Sequence, residues 1–347
     1  LENLRKDGVE AYPNCYPQLF LGSNGLNTNN GRIYPLGGGV SNKLMVQSNE
    51  NGYWMMYTGD KYGFHNSNDV YQDNIVDILI TGDSFAEGWS VKSEENIGGV
   101  LQEIGFNVVN IGKSGNGPLL EFATLKEYAE PLEPKIVLWV YYVNDLSDLL
   151  NRELQSSIIR RYLNEDDYSQ NLISRQKEID GVLINYVQNE LEKEREKRDR
   201  LSHHPVIKIT KLYNLRMRIN LVPKPIPIPI PTPTPTPTPI FRDILQKSKQ
   251  MVSDWDGKMY FVYLPSFFRY STGNEDPNRN FVMQTATELD IPIIDIHREV
   301  FDPHPDPLSL FPLRIHGHYN AEGYKLIAEV IRKRLEADGY VPIKSKK

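Results

Sequence analysis

Between Ile75 and Val91 the chain reads IVDILITGDSFAEGWSV, an apolar block containing Ile75, Val76, Ile78, Leu79 and Ile80 that stops at Thr81-Gly82-Asp83-Ser84. A short, nearly continuous apolar run of this kind predicts a strand covered on both faces, as parallel strands are. Similar blocks predict strands at 75–81, 107–111, 135–142, 258–264 and 291–296. Between them, apolar residues at three- and four-residue spacing predict helices near 94–104, 118–130, 241–254, 279–289 and 320–337. Strand alternating with helix is the pattern of an α/β domain. The expected architecture is a doubly wound parallel sheet of about five strands covered by helices, in three layers.

Three stretches depart from that pattern. Residues 1–72 are rich in Gly, Asn and Tyr, with short patterned pieces and turn signals such as Leu36-Gly37-Gly38-Gly39, which predicts irregular or short β structure and little helix. Residues 151–222 are charged and helical in pattern. Ile179, Val182, Leu183, Tyr186, Val187 and Leu191 form a stripe that must pack on something, followed by a solvated run from Glu190 to Arg200. Tyr213 to Leu221 adds a short basic amphipathic piece, read as a surface helix. From Pro223 to Pro239 proline stands at every second position, which excludes helix and central strand and predicts a stiff polyproline II spacer. The expected organisation is therefore an N-terminal extension (1–72), a first α/β part (73–150), a helical and proline-rich insertion (151–239) and a second α/β part (240–340).

With 347 residues, 39% of them hydrophobic, the chain can bury a large core. A formal charge of −6 argues against nucleic acid as the main partner, because phosphate binding needs a basic surface. Cys15 is the only cysteine, which excludes an intrachain disulfide and a cysteine-based zinc site. The sequence opens on Leu rather than Met, which leaves membrane proximity through an N-terminal anchor upstream as an expectation.

In open α/β sheets function collects beyond the carboxyl ends of the strands, and four chemically capable stretches fall there. Ser84 follows the first strand and is a nucleophile candidate, although Asp-Ser is also ordinary turn chemistry. Asn110-Ile111-Gly112-Lys113-Ser114-Gly115-Asn116-Gly117 follows the second, where glycines let a backbone N–H approach a developing oxyanion. Asn144, after the third, carries a side-chain amide donor. His316-Gly317-His318 follows the fifth and supplies a candidate base. Histidines spaced as in HGH can also share a metal, but no third ligand stands nearby in sequence, so no metal is expected. The loop after the first strand lacks both G-x-G-x-x-G and a P-loop, which argues against a nucleotide or flavin binder.

These four blocks together resemble the SGNH hydrolases, also called GDSL esterases and lipases: Gly82-Asp83-Ser84, Gly115, Asn144-Asp145, and His318 within HYNAEGYKLIAE. The resemblance covers roughly 75–150 and 240–338. It implies a flavodoxin-like three-layer fold without a cofactor, with Ser84 as nucleophile and His318 as general base. The oxyanion hole would be the Ser84 N–H, the Gly115 N–H and the Asn144 amide. The extension and insertion resemble a bacterial envelope-associated branch, which implies a periplasmic or cell-envelope location. Two positions depart from the family pattern. Tyr142 stands where a glycine is usual, and Ile315 stands three residues before the histidine, where the family carries its aspartate. His316 is the expected replacement that orients His318, with Asp302, Asp306 or a backbone carbonyl as alternatives. The activity implied is ester hydrolysis or acyl transfer through an acyl-serine, on a small-molecule or glycan ester, most simply an O-acylated carbohydrate. The competing reading is a carbohydrate-binding module that keeps the fold and has lost turnover with the acid.

Overall fold

The computed structural model of the protein describes residues 2–72, 75–202 and 239–342. The basic piece Tyr213–Leu221 and the proline run up to 238 lie outside the described residues. The extension begins with a five-residue helix α1 (Glu2–Lys6) and otherwise consists of short strands and turns. Strands β1 (Ala11–Pro13), β4 (Leu44–Val46) and β5 (Met56–Thr58) form a three-stranded sheet, and β2 (Leu26–Thr28) pairs with β3 (Gly31–Ile33).

The α/β part follows the pattern. Strand β6 (Ile78–Gly82) leads into the short helix α2 (Ser84–Glu87), then α3 (Ile97–Glu103), β7 (Val108–Asn110), α4 (Pro118–Tyr128) and β8 (Ile136–Tyr141). After β8 come α5 (Asp145–Asn151), α6 (Ser157–Asn164) and the long α7 (Gln176–Ser202). The chain resumes in α8 (Pro239–Asp254), β9 (Lys258–Tyr263), α9 (Phe267–Thr272), α10 (Arg279–Glu288), β10 (Ile293–Asp295) and α11 (Ala321–Ala337). The five strands pair in parallel in the order β10-β9-β8-β6-β7. Successive side chains of a strand point to opposite faces, and here each face has its own apolar cluster. Leu79, Val137, Trp139 and Tyr141 meet Leu119, Phe241 and Val282 of α4, α8 and α10 on one side. Ile78, Ile80, Leu138 and Val140 meet Ile97, Leu101, Ile327 and Ile331 of α3 and α11 on the other. This is the three-layer α/β arrangement expected from the alternation. The strand order reverses at β6, so the carboxyl end of β6 opens onto the switch point where such sheets bind ligands.

The extension is joined to the α/β part by a buried polar knot. Lys113, in the turn after β7, is fully buried and donates to Glu87 Oε1 (2.7 Å), Asn14 Oδ1 (2.7 Å) and the Tyr57 hydroxyl (2.8 Å). Glu87 also accepts from the Asn14 amide (3.0 Å) and from the N–H and hydroxyl of Ser114. Burial alone would raise the Glu87 carboxyl, but Lys113 and these donors outweigh it and hold it down to about 2. The insertion contributes as well. Ile179, Leu183 and Val187, spaced by four on α7, are buried, and Tyr186 sets its ring edge-on to Phe20 of the extension at 5.2 Å. Among the described residues no helix is long and apolar enough to cross a membrane.

Removing one member of a buried, fully hydrogen-bonded ion pair strands the other charge, at a cost of about 3–5 kcal/mol. Lys113→Met is therefore expected to lower unfolding stability by about that much in a urea titration, and the double substitution Lys113→Met/Glu87→Gln is expected to be milder than Lys113→Met alone.

Candidate active site

Gly82 closes β6 with φ of 151°. A Cβ there would stand 2.7 Å from both the Ala86 Cβ and the Val140 carbonyl oxygen, so only glycine lets the chain turn this tightly into α2. Asp83 caps the turn by accepting from the Phe85 N–H at 2.8 Å. Ser84 is thereby the first residue of α2, where a backbone N–H has no intrahelical acceptor. Its Oγ lies 2.7 Å from His318 Nε2.

His318 precedes α11, and its other ring nitrogen does not meet His316. Nδ1 lies 3.1 and 3.0 Å from the two carboxylate oxygens of Glu50, and the His318 backbone N–H donates to Oε2 at 3.2 Å. With the Nδ1 proton facing the carboxylate, Nε2 is the acceptor for the serine hydroxyl. Serine, histidine and carboxylate are thus connected in the sequence of contacts that nucleophilic serine chemistry requires. Burial by itself would raise the Glu50 carboxyl. The bonds and charge of His318 prevail and bring it down to about 2, so the group is ionised over the range in which an imidazole serves as a base.

The expectation that His316 orients His318 is corrected by this geometry. His316 stacks on Phe268, with ring centroids 4.7 Å apart and planes at 29°, and sets its edge to Phe267. Leu313 and Arg314, both at positive φ, turn the chain before it, so the two histidines face different partners. Asp306 is bound to Arg314 instead (3.0 Å for one of two contacts). Glu50 was invisible to spacing arguments because it lies in the extension, 268 residues from His318. The available signal was the empty acid position at Ile315 combined with a polar turn, Asn49-Glu50-Asn51-Gly52, between two short strands.

The tip carrying Glu50 is held firmly. It joins β4 to β5, closed by Gln47 N–H to Met55 oxygen (2.9 Å) and Gly52 N–H to Asn49 oxygen (3.0 Å). It is stitched to the segment after α2: the Ser48 and Ser90 hydroxyls bond at 2.8 Å, Ser90 N–H donates to Gln47 at 3.0 Å, and Trp89 Nε1 donates to Glu50 at 3.1 Å.

The remaining block residues follow β7 and β8. Gly115 sits in the turn after β7 at φ of 73°, and the Gln18 side chain lies 3.0 Å from where a Cβ would be. Asn144 precedes α5, and its Nδ2 donates to Asp148 Oδ2 at 2.7 Å. Tyr142, in the place of the usual glycine, stacks on Phe85 with centroids 3.8 Å apart. Beneath the site Asp83, Glu121, Asp145 and Glu153 are all buried. Desolvation raises each of them, Asp83 to about 7 and Glu153 to about 8.

The Ser84 and His318 blocks thus meet at the switch point of a five-stranded parallel sheet. The chain has a three-layer, doubly wound α/β fold. No protein-family model matches the sequence, and no curated protein does. Similar solved structures include a putative lipolytic protein of the G-D-S-L family from Desulfitobacterium hafniense DCB-2, at 13% identity and a TM-score of 0.42, covering 74% of this chain and 98% of that one. A G-D-S-L lipolytic protein from Veillonella parvula DSM 2008 has 13% identity and a TM-score of 0.39, covering 74% and 97%. A catalytic mutant of an acetylxylan esterase from Geobacillus stearothermophilus has 14% identity and a TM-score of 0.38, covering 79% and 100%. The carboxylate that faces His318 in this chain comes from the extension.

Because an amide in place of the acid favours the wrong imidazole tautomer, Glu50→Gln is expected to lower kcat for p-nitrophenyl acetate by on the order of 10²–10⁴. His316→Ala, Asp302→Asn and Asp306→Asn are each expected to stay within a few-fold of wild type. A sharp loss in His316→Ala with an intact Glu50→Gln enzyme would reverse the assignment.

Proposed function

We propose that the protein is a serine ester hydrolase or O-acyltransferase that works through an acyl-Ser84 intermediate on O-acylated carbohydrate. The observation carrying this reading is the connected set Ser84 Oγ, His318 Nε2, His318 Nδ1 and Glu50 carboxylate. His318 takes the hydroxyl proton as Ser84 attacks the ester carbonyl, and Glu50 stabilises the imidazolium that forms. The developing oxyanion is received by the Ser84 N–H, the Gly115 N–H and the Asn144 amide. Collapse of the tetrahedral intermediate expels the alcohol, which takes the proton back from His318. Water, or another hydroxyl, then attacks the acyl-serine by the same path.

The carbohydrate part of the reading draws on the Glu50 hairpin. Tyr53 and Trp54 follow Glu50 by three and four residues and are 49% and 62% exposed, so flat aromatic faces are offered to solvent on the loop that carries the acid. Aromatic faces with polar edges suit the apolar C–H faces of sugar rings. The alternative of a non-catalytic binding module drew on the acid missing from position 315, and the Glu50 contact with His318 supports the catalytic reading instead.

A fluorophosphonate probe followed by mass spectrometry is expected to label Ser84 and no other serine, and His318→Ala is expected to abolish labelling. Asn144→Ala is expected to retain partial labelling and to lose on the order of 10²–10³ in turnover. Folded wild-type protein that takes no probe would return the reading to a binding module.

A further inference from the structure

Asn144 stands at the N-cap of α5, where an asparagine side chain normally accepts from a backbone N–H two or three residues on. Here it makes no such cap. Its Oδ1 is buried without a partner, and its Nδ2 instead donates to Asp148 Oδ2, one helical turn along, at 2.7 Å. A primary amide has two hydrogens. Committing one to Asp148 fixes the plane of the amide and leaves the second directed away from that carboxylate.

Asp148 is itself held from outside the helix. Its Oδ1 accepts from Gln18 Nε2 of the extension at 2.9 Å, and Arg152 approaches the same oxygen at 3.4 Å. Gln18 is also the side chain lying against Gly115, the second proposed oxyanion donor. One residue of the extension therefore occupies the space beside Gly115 and, through Asp148, reaches the amide of Asn144. The carboxylate's negative charge, unfavourable beside a developing oxyanion, is offset by Arg152 and by the Gln18 amide.

We propose that Asp148, braced by Gln18, is a positioning residue for the oxyanion hole: it sacrifices the helix cap at Asn144 to hold the Asn144 amide with its free hydrogen ready for the oxyanion. The proposal rests on the acyl-serine reading above. Neither Asp148 nor Gln18 belongs to a family block, and neither touches the reacting atoms.

The test is a mutant cycle read on p-nitrophenyl acetate. Asp148→Ala is expected to lower kcat by about 10- to 100-fold, part of what loss of a whole donor costs, with KM within about twofold. Asp148→Asn keeps an acceptor for Asn144 and is expected to recover most of that loss. Gln18→Ala is expected to lower kcat by a smaller factor in the same direction. The decisive comparison is Asn144→Ala/Asp148→Ala: if Asp148 acts only through Asn144, the double variant has the kcat of Asn144→Ala alone. Multiplying effects, or a loss in Asp148→Ala that appears equally in thermal stability and is not recovered by Asp148→Asn, would overturn the positioning role while leaving the acyl-serine reading intact. A folded wild type that neither hydrolyses the ester nor takes the phosphonate would overturn both.

Discussion

Everything in the site depends on one bond, that between Glu50 and His318 Nδ1. An imidazole beside a serine can take its proton only if the correct nitrogen is bare, and that choice is made by the group on the far side of the ring. Here that group is carried on a hairpin tip, and a hairpin is precise only if its base is immovable. The buried Lys113 knot meets that requirement. Lys113 and Glu87 belong to the α/β part, and Asn14 and Tyr57 come from the extension. A charge pair in such a place contributes little net stability, because desolvation consumes most of the attraction, but it tolerates few alternative arrangements. Its service is register, holding β1 and β5 against the turn that contains Gly115.

Much of this was legible in the sequence. Strands covered on both faces announce themselves as apolar blocks, and the observed strands fall inside the predicted ranges at 78–82, 108–110, 136–141, 258–263 and 293–295, with Gly82 one residue beyond its block. The blocks placed Ser84 and His318 at strand ends on the same side of the sheet, and the structure brings them within hydrogen-bond distance. The acid was not legible. Nearness along the chain favoured His316, but two positive-φ residues and the Phe268 ring take it elsewhere. Glu50 had no periodicity to betray it, since the place of a carboxylate on an irregular loop is set by tertiary contacts alone. The same holds for Asp148 and Gln18, which are found by their partners rather than by any spacing.

The electrostatic surroundings divide in two. Glu50 and Glu87, each beside a cationic or cationisable partner, are held in the charged form, whereas Asp83, Glu121, Asp145 and Glu153, crowded together under the nucleophile turn, are pushed toward the neutral form. Burial thus lessens the negative charge gathered around Asp83, the residue before Ser84.

The span between Glu50 and His318 also sets when the arrangement can form. During synthesis Glu50, Ser84 and the turns carrying Gly115 and Asn144 emerge long before His318, so until then the serine has no imidazole beside it. Loss of the extension would take away the carboxylate that faces the imidazole and, with Asn14 and Tyr57, the partners of the buried Lys113. The connected set is therefore a property of the folded chain, present only when the β4–β5 hairpin and the segment before α11 have met.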